Sequence, residues 1–496
     1  MSVFSVKVHC GGGELLLCAG EDKSILELLT AASVIVDAPC GGRGTCGKCS
    51  VELRGAVRSR DSGETVQAEG RLHACRFIPA GDCELWLDTE GEARIVLPDA
   101  VRTDGGGEGL GLAVDIGTTT VAAALYDLAT GECIAEKSER NAQRSFGADV
   151  VSRMEHCRRG SFTELAEATR TQLAALFEDR EGIRRVALVG NTVMQHLAWG
   201  LDPSDMAVPP FRPKSLFGFS AGSELWQDAE VYLAPCVSAY VGGDVPAGML
   251  ACGMDSAEGL WLYVDIGTNG EMALGDKNGY VTCATAAGPA FEGAEIACGM
   301  IAAAGAVDRV WCEGTELFAH VIGGGEAKGI CGSGLIDAAA AMLRLGVLDR
   351  RGRLLDEEKA PVQLRRRFIR HDGVRAFVLR DGVFVTAKDI RKIQLAKAAI
   401  RGGIETLLQG RVPDGVVIAG GFGSYIDVRN AVEIGLLPPI PVSLVRQAGN
   451  AAAKGAAMLL NDGTAERLKA LTESCSYLDL SSSKEFSDSY ISYLDF

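Results

Sequence analysis

Two short stretches, separated by the length of a domain, constrain this chain more than anything else in it. Residues 112–124, LAVDIGTTTVAAA, read as an apolar strand ending in Asp115, a Gly-Thr turn and a second strand returning. Residues 262–274, LYVDIGTNGEMAL, repeat the device, with Asp265, Gly267 and Thr268 standing where Asp115, Gly117 and Thr118 stood. Glycine lets the backbone approach an anion closely, turn N–H groups and threonine hydroxyls donate to phosphate oxygens, and the aspartate faces a cation. A single copy reads equally well as a tight β-turn capped by an Asx-type hydrogen bond. A repeat that also shares flanking strands and aspartate favours two similar lobes gripping a magnesium polyphosphate between them.

The length of 496 residues allows three or four domain units, and 47% hydrophobic residues fill a large core. Few aromatics and 62 glycines suit α/β packing with many small-residue contacts. With 65 acidic against 49 basic residues the formal charge is −16, which argues against a nucleic-acid-coating protein. The run RRRFIR at 365–370 is the exception and reads mainly as a solvated strand or helix edge. No basic segment followed by an apolar run opens the chain, and no stretch reaches the ~18 apolar residues of a membrane span. The expectation is a cytoplasmic protein whose 16 cysteines stay reduced, most of them, such as Cys252, Cys283 and Cys298, serving as small core residues.

One cysteine cluster is different. Residues 1–18 carry a hairpin signal around Gly11–Gly13, and 24–33 a short helix capped by Ser24 with Glu27 in the capping-box position. Then APCGGRGTCGKC at 38–49 sets Cys40, Cys46 and Cys49 at C-x5-C-x2-C, and Cys75 follows in RLHACR. Sulfide-bridged iron needs a glycine-rich loop that wraps closely and turns N–H groups toward sulfur. Structural zinc usually takes two C-x2-C knuckles, and only Cys46 and Cys49 make one.

Further along, residues 98–110 are Pro/Gly/Asp-rich and read as a linker; 150–156 and 164–177 have helical spacing; four prolines between 203 and 213 mark a rigid surface excursion. Asp244 follows a double glycine, GPAFEGAE occupies 288–295, and GICGSGLIDAAA at 329–340 gives way to an apolar helix whose start can present N–H groups to an anion. Residues 387–404 form an amphipathic helix, 416–419 a strand running into the glycine elbow GGFGSY at 420–425, fit for a flat ring, and 449–457 open the last core helix. From about Ser474 serine dominates and the chain reads as a tail, docked if at all by its aromatic residues.

The cysteine loop with its following strand resembles the plant- and adrenodoxin-type [2Fe–2S] ferredoxins over roughly residues 1–90, one residue off the plant spacing, with Cys83 a minor rival to Cys75 as fourth ligand. The order DIGT, DIGT, AGGFGSY resembles the phosphate-1, phosphate-2 and adenosine motifs of the actin/Hsp70/sugar-kinase superfamily over 111–460. Together, with stretches such as GNTVMQHLAWG and YVGGDVPAG, they look like the ATP-dependent reductive activators of corrinoid-dependent enzymes. The resemblance implies an α+β ferredoxin-like (β-grasp) domain at 1–92, a linker at 93–110, a two-lobed α/β actin-like ATPase (ribonuclease H-like fold) at 111–462 with lobes of about 111–260 and 261–462, and a tail at 463–496.

It also implies a [2Fe–2S] cluster on Cys40, Cys46, Cys49 and Cys75, and ATP with Mg2+ in the cleft. Asp115 and Asp265 would orient the metal and the attacking water, Thr118, Thr119, Thr268 and Asn269 with Gly117 and Gly267 would hold phosphate, and Gly420, Gly421 and Gly423 adenosine. Glu271 and Glu292 are candidate water-activating carboxylates, with an ordinary surface role equally open. Implied partners are a corrinoid protein of a methyltransferase system and an upstream ferredoxin or reductase, with a homodimer left open. Two departures stand out: Cys475 is the only cysteine of the tail, so a second cluster is not supported, and little room is left for the separate middle domain of longer relatives. A kinase with a fused ferredoxin and a nucleotide-switched redox sensor remain as alternatives. No Walker A or GxGxxG sequence occurs at a strand-to-helix turn.

Overall fold

The computed structural model describes residues 4–10, 13–20, 22–32, 34, 36, 38, 42, 44, 49–87, 107–177, 181–421 and 425–496. The linker expected at 93–110 falls almost wholly outside these residues, and a strand is already under way at Leu110.

The N-terminal unit grows from the expected hairpin. In Phe4–Cys10 the alternate residues Val6 and Val8 turn inward, and the strand pairs antiparallel with Gly13–Ala19 and parallel with Phe77–Trp86. Ser50–Ser59 and Thr65–His73 complete a five-stranded mixed sheet. Helix Ile25–Ala31 starts at the predicted capping box, where Ser24 accepts from the Glu27 amide and the Glu27 carboxylate accepts from the Ser24 amide at 2.6 Å. It buries Ile25, Leu28 and Leu29 in one cluster with Leu53 and Leu85 of the sheet, the β-grasp arrangement.

The remaining chain builds the same sheet twice. Leu110–Ile116, Thr120–Asp127 and Cys133–Arg140 form an antiparallel meander; Ile183–Gly190 lies parallel to its first strand and Glu230–Leu233 parallel beyond that. In the second lobe Trp261–Ile266, Gly270–Asp276 and Gly279–Thr285 make the meander, with Gly415–Ala419 and Val445–Gly449 as the parallel pair. Central strands such as Leu112–Val114 and Val416–Ile418 are buried, as expected where elements cover both sheet faces.

Helices Asp244–Ala251 and Ala451–Met458 meet between the sheets, and one apolar cluster joins Ala113 and Val189 of the first lobe to Tyr263 and Val417 of the second through them. The meeting is almost backbone to backbone: a Cβ on Gly455 would lie 2.2 Å from the Ala247 carbonyl oxygen.

The segment read as a tail is ordered secondary structure. Helix Thr464–Glu473 is followed by Cys475–Tyr477, which adds a parallel strand beside Gly279–Thr285, and by helix Lys484–Ser492, which lies on the long helix Ala387–Leu408. Sparse apolar residues suffice because they are placed at contacts: Phe486 and Tyr490 pack on the second-lobe core, and the Arg401 guanidinium sits 4.5 Å from the Tyr493 ring centre. The glycine pair inside the long helix follows from this packing. A Cβ on Gly402 would come within 3.1 Å of the Tyr490 nitrogen, and one on Gly403 within 2.6 Å of Met272 Cε.

In the 365–370 run, Arg365 donates to the carbonyls of Glu358 and Ala360, Arg367 to those of Val378 and Leu379 and Arg370 to that of Gly373, so three of these arginines bond backbone. Among the described residues no helix is long and apolar enough to cross a membrane.

Candidate functional site

The strand pairs place the two turns opposite each other, on a cavity of about 230 Å³ between the lobes. Asp115, Gly117, Thr118 and Thr119 line it from the first lobe, Asp265, Gly267, Thr268, Asn269 and Glu271 from the second. Gly420, Gly421 and Tyr425 form a further wall, while Gly423 lies outside the described residues. Gly420 takes φ +102°, and a Cβ there would stand 2.5 Å from the Ile266 carbonyl oxygen, so only glycine fits against the second turn.

The first turn is fixed from behind. The Asn141 amide donates to Thr119 O at 2.9 Å and its side chain to Gly117 O at 2.7 Å, while Arg153 donates to Thr118 O. Arg153 is fully buried, its guanidinium also donating to Gly147 O at 3.1 Å and Gln143 Oε1 at 3.2 Å. Burial, and then the neighbouring Arg144, lower its pKa to about 9. Helical spacing over 150–156 was legible in sequence; that Arg153 faces inward was not.

Four carboxylates converge. Asp115 and Asp265 end the first strand of each meander; Glu271 is the register partner of Asp265; and Asp244 opens its helix. Burial first, then the Asp244 charge, raises Asp115 to about 7, opposed by the Asn450 side chain donating at 3.0 Å. Burial and then Asp244 and Asp115 raise Asp265 to about 8. Burial alone raises Asp244 to about 6, and Glu271 is pushed well above the usual range by burial with Asp244 and Asp265. No Lys, Arg or His stands among the described lining residues, and the carboxylates among them offer oxygen donors of the kind that suit a hard divalent cation carried with a polyanion.

Asp244 and Asn450 complete the site beyond the sequence assignment, and Glu292, a candidate there, lines it too. The signal for Asp244 was its double glycine: a Cβ on Gly242 would sit 2.4 Å from Gly190 O, so that glycine lets the helix start reach the cleft. Asn450 shows as a helix cap, accepting from the Ala453 amide at 2.9 Å, but its bond to Asp115 joins segments far apart in sequence. Glu292 ends the short turn Pro289–Glu292 and accepts from Thr268 Oγ1 at 2.7 Å and from Thr119 Oγ1. Glu271 and Glu292 are thus cleft residues, not ordinary surface ones. Cys331, Gly332 and Ser333 bring the start of helix Gly332–Arg344 to the cavity, where the loop-to-helix motif was expected to meet an anion.

In the N-terminal unit the Cys49 and Cys75 sulfurs lie 3.3 Å apart, both buried. Gly42, at φ +78°, lies over Cys75, and Arg76 donates to Gly44 O at 2.7 Å, tying the glycine loop to the short helix that carries Cys75. Cys40 and Cys46 lie outside the described residues. Cys83 is a core residue of Phe77–Trp86, in register with Val6 and Gly55. Among the described residues, those of the cleft included, no three His, Cys, Asp or Glu side chains stand close enough to hold a metal ion by themselves, and the Cys49–Cys75 pair fits two corners of a thiolate site.

Comparison with known proteins agrees with this geometry. Residues 110–257 match the family described as the RACo middle region and 259–496 that described as the C-terminal domain of RACo, the ASKHA domain. The first match corrects the expectation that little room remains for a middle domain: the first lobe is itself that region. The match to residue 496 includes the segment read as a tail.

The chain is 34% identical over 412 residues to the corrinoid activation enzyme RamQ of Eubacterium limosum, covering 77% of this chain and 69% of that one. It is 24% identical over 438 residues to the [Co(II) methylated amine-specific corrinoid protein] reductase of Methanosarcina barkeri, covering 78% and 77%. A solved structure described as a reductive activator for corrinoid, iron-sulfur protein superposes with a TM-score of 0.72 at 28% identity, covering 99% of this chain and 98% of its own. A ferredoxin-like sheet, two actin-like lobes sharing one acidic cleft and these relatives lead to one assignment: the chain belongs to the RACo family of reductive activators of corrinoid proteins.

Proposed function

We propose that this protein uses MgATP to drive reduction of a Co(II) corrinoid on a partner protein, restoring the Co(I) nucleophile for methyl transfer. The observation that carries the reading is the convergence of both DIGT turns on one cavity between the lobes in a chain of this family. Asp115, Asp244 and Asp265 would hold the magnesium ion, whose charge would relieve their mutual repulsion and let all of them ionise. Thr118, Thr119, Thr268 and Asn269 would donate to phosphate oxygens, and Gly420, Gly421 and Gly423 would take the adenosine. Glu271, bonded to Asn269 at 3.3 Å, would position the attacking water.

Cys40, Cys46, Cys49 and Cys75 would hold a [2Fe–2S] cluster, and the buried sulfur pair under its glycine loop supports that donor set. Bound there, such a cluster supplies one electron at roughly −400 mV. Since about 59 mV shifts a one-electron equilibrium tenfold, a cobalt couple lying lower leaves the electron behind unless nucleotide turnover biases the complex. A ferredoxin or reductase would supply the electron in the cytoplasm.

The test is ATP turnover by anaerobically purified protein with and without a cob(II)alamin protein, following Co(I) by its visible spectrum. Partner-stimulated hydrolysis with Co(I) appearing supports the proposal. Phosphorylation of a sugar would identify a kinase, and neither activity a redox sensor. Cys46→Ser and Cys75→Ser should each bleach the visible spectrum and abolish reduction while sparing nucleotide binding; Cys83→Ser should keep the colour.

A further inference from the structure

We infer that Glu292 is a phosphate surrogate: its carboxylate clasps the two lobes together through Thr119 and Thr268, and releases both hydroxyls when a nucleotide phosphate arrives. The inference rests on the nucleotide reading of the cleft and adds a residue that regulates it.

One side chain makes the bridge. Glu292 Oε1 accepts from Thr268 Oγ1 of the second-lobe turn at 2.7 Å, Oε2 accepts from Thr119 Oγ1 of the first-lobe turn, and the two hydroxyl oxygens are 3.3 Å apart. Two oxygens of one anion therefore meet two hydroxyls from opposite walls, the pattern a phosphoryl group would make with the same pair. A threonine hydroxyl has a single proton to donate, so Glu292 and a phosphate oxygen compete for each of them. Two anions brought to one pair of donors also repel. Arg153, behind the first turn, is the cation whose charge interacts with Glu292.

Each oxygen of Glu292 takes one threonine hydroxyl, so the two turns together fix where its carboxylate lies. The turn that carries it is also coupled to the fold. Pro289 opens it and Gly293, at φ +76°, closes it, while Phe291 O packs so tightly on the next wall that a Cβ on Gly332 would lie 2.0 Å away. Release of Glu292 therefore presses on the first residue of helix Gly332–Arg344, which gives the second lobe a signal that phosphate is bound.

The experiment measures the Kd of MgATP by calorimetry, and partner-free ATPase kcat and KM, for the full chain and for Glu292→Ala and Glu292→Asp. The alanine variant has no competitor for the hydroxyls; the aspartate, one methylene shorter, spans only one of them. Both should bind MgATP more tightly, the alanine variant on the order of tenfold, equivalent to about one net hydrogen bond, with KM falling in step. Weaker binding would make Glu292 a brace of the binding pocket, a kcat lowered a hundredfold at constant Kd would make it the base, and unchanged constants a bystander; each overturns the inference. If the aspartate variant folds and the alanine does not, the same signs are read from the aspartate alone. Failure of the unsubstituted chain to bind MgATP would instead remove the nucleotide reading itself.

Discussion

The two cradles come from one sequence device but are not equivalent. In the first, Asp115 pairs across its hairpin with Ala122 and is steadied by the Asn450 amide; in the second, Asp265 pairs with Glu271 and touches the wall made by Gly420. The turns differ as well. A Cβ on Gly117 would stand 2.7 Å from the Thr120 carbonyl oxygen, whereas the nearest atom to one on Gly267 is 3.6 Å away. The first cradle is thus clamped by Asn141 and Arg153, and the second is looser but more highly charged. In the proposed site a repeat with this asymmetry would divide the labour: one hairpin would supply a rigid phosphate grip, the other the charge that a cation would offset.

The sharpest way to break that division is at the aspartates. Asp265 interacts with Asp115, Asp244 and Glu271, whereas the charge that raises Asp115 is that of Asp244 alone. Asp265→Asn should lower ATPase kcat by ~10³-fold and Asp115→Asn by ~10²-fold, judged by steady-state rates at saturating Mg2+. Equal losses, or the reverse order, would erase the distinction.

Next comes pH. Burial raises Asp244, Asp115 and Asp265 from 3.8 to about 6, 7 and 8, so the fold keeps protons that the unfolded chain has already lost. Folding stability without ligand should therefore fall as pH rises from about 4 to about 8. The melting temperature should drop by several degrees between pH 5 and pH 8, and MgATP should flatten that slope, because a bound cation takes the place of the protons. A flat profile without ligand would show the four acids to be solvated.

The smallest contrast is steric. Gly117→Ala should weaken MgATP binding about tenfold by pushing the Thr120 carbonyl out of place, and Gly267→Ala less than twofold. Calorimetric titration of both variants separates a rigid cradle from a tolerant one.

Sequence made the cradles legible because their information is local: a strand, an acid, a glycine and a hydroxyl within one hairpin, written twice. The β-grasp hairpin, the capping box at Ser24 and the long helix from Ala387 were legible for the same reason. Arg153, Asn450 and Glu292 were not read as site residues with these roles, because each acts on a residue distant in sequence and carries no local mark of the direction it faces. The 463–496 segment was misjudged through composition: serine suggests a tail, yet Leu468, Leu471 and Leu480 are buried and Cys475–Tyr477 extends the second-lobe sheet. The first lobe looked like part of one ATPase domain because its repeat of the second is what the sequence displays; its match as a middle region depends on the whole 110–257 stretch.

The place where helix Asp244–Ala251 crosses helix Ala451–Met458 sets how the jaws can travel. Gly455 lies on Ala247 and Gly248 on the Tyr263 phenol, with Ala451 and Ala456 alongside, so small residues bring the two helices together at the crossing. Knobs that interdigitate must climb over one another, whereas smooth surfaces slide in small steps. Asp244 rides at the rim of this crossing, so any slide there would move its carboxylate relative to the opposing strand ends.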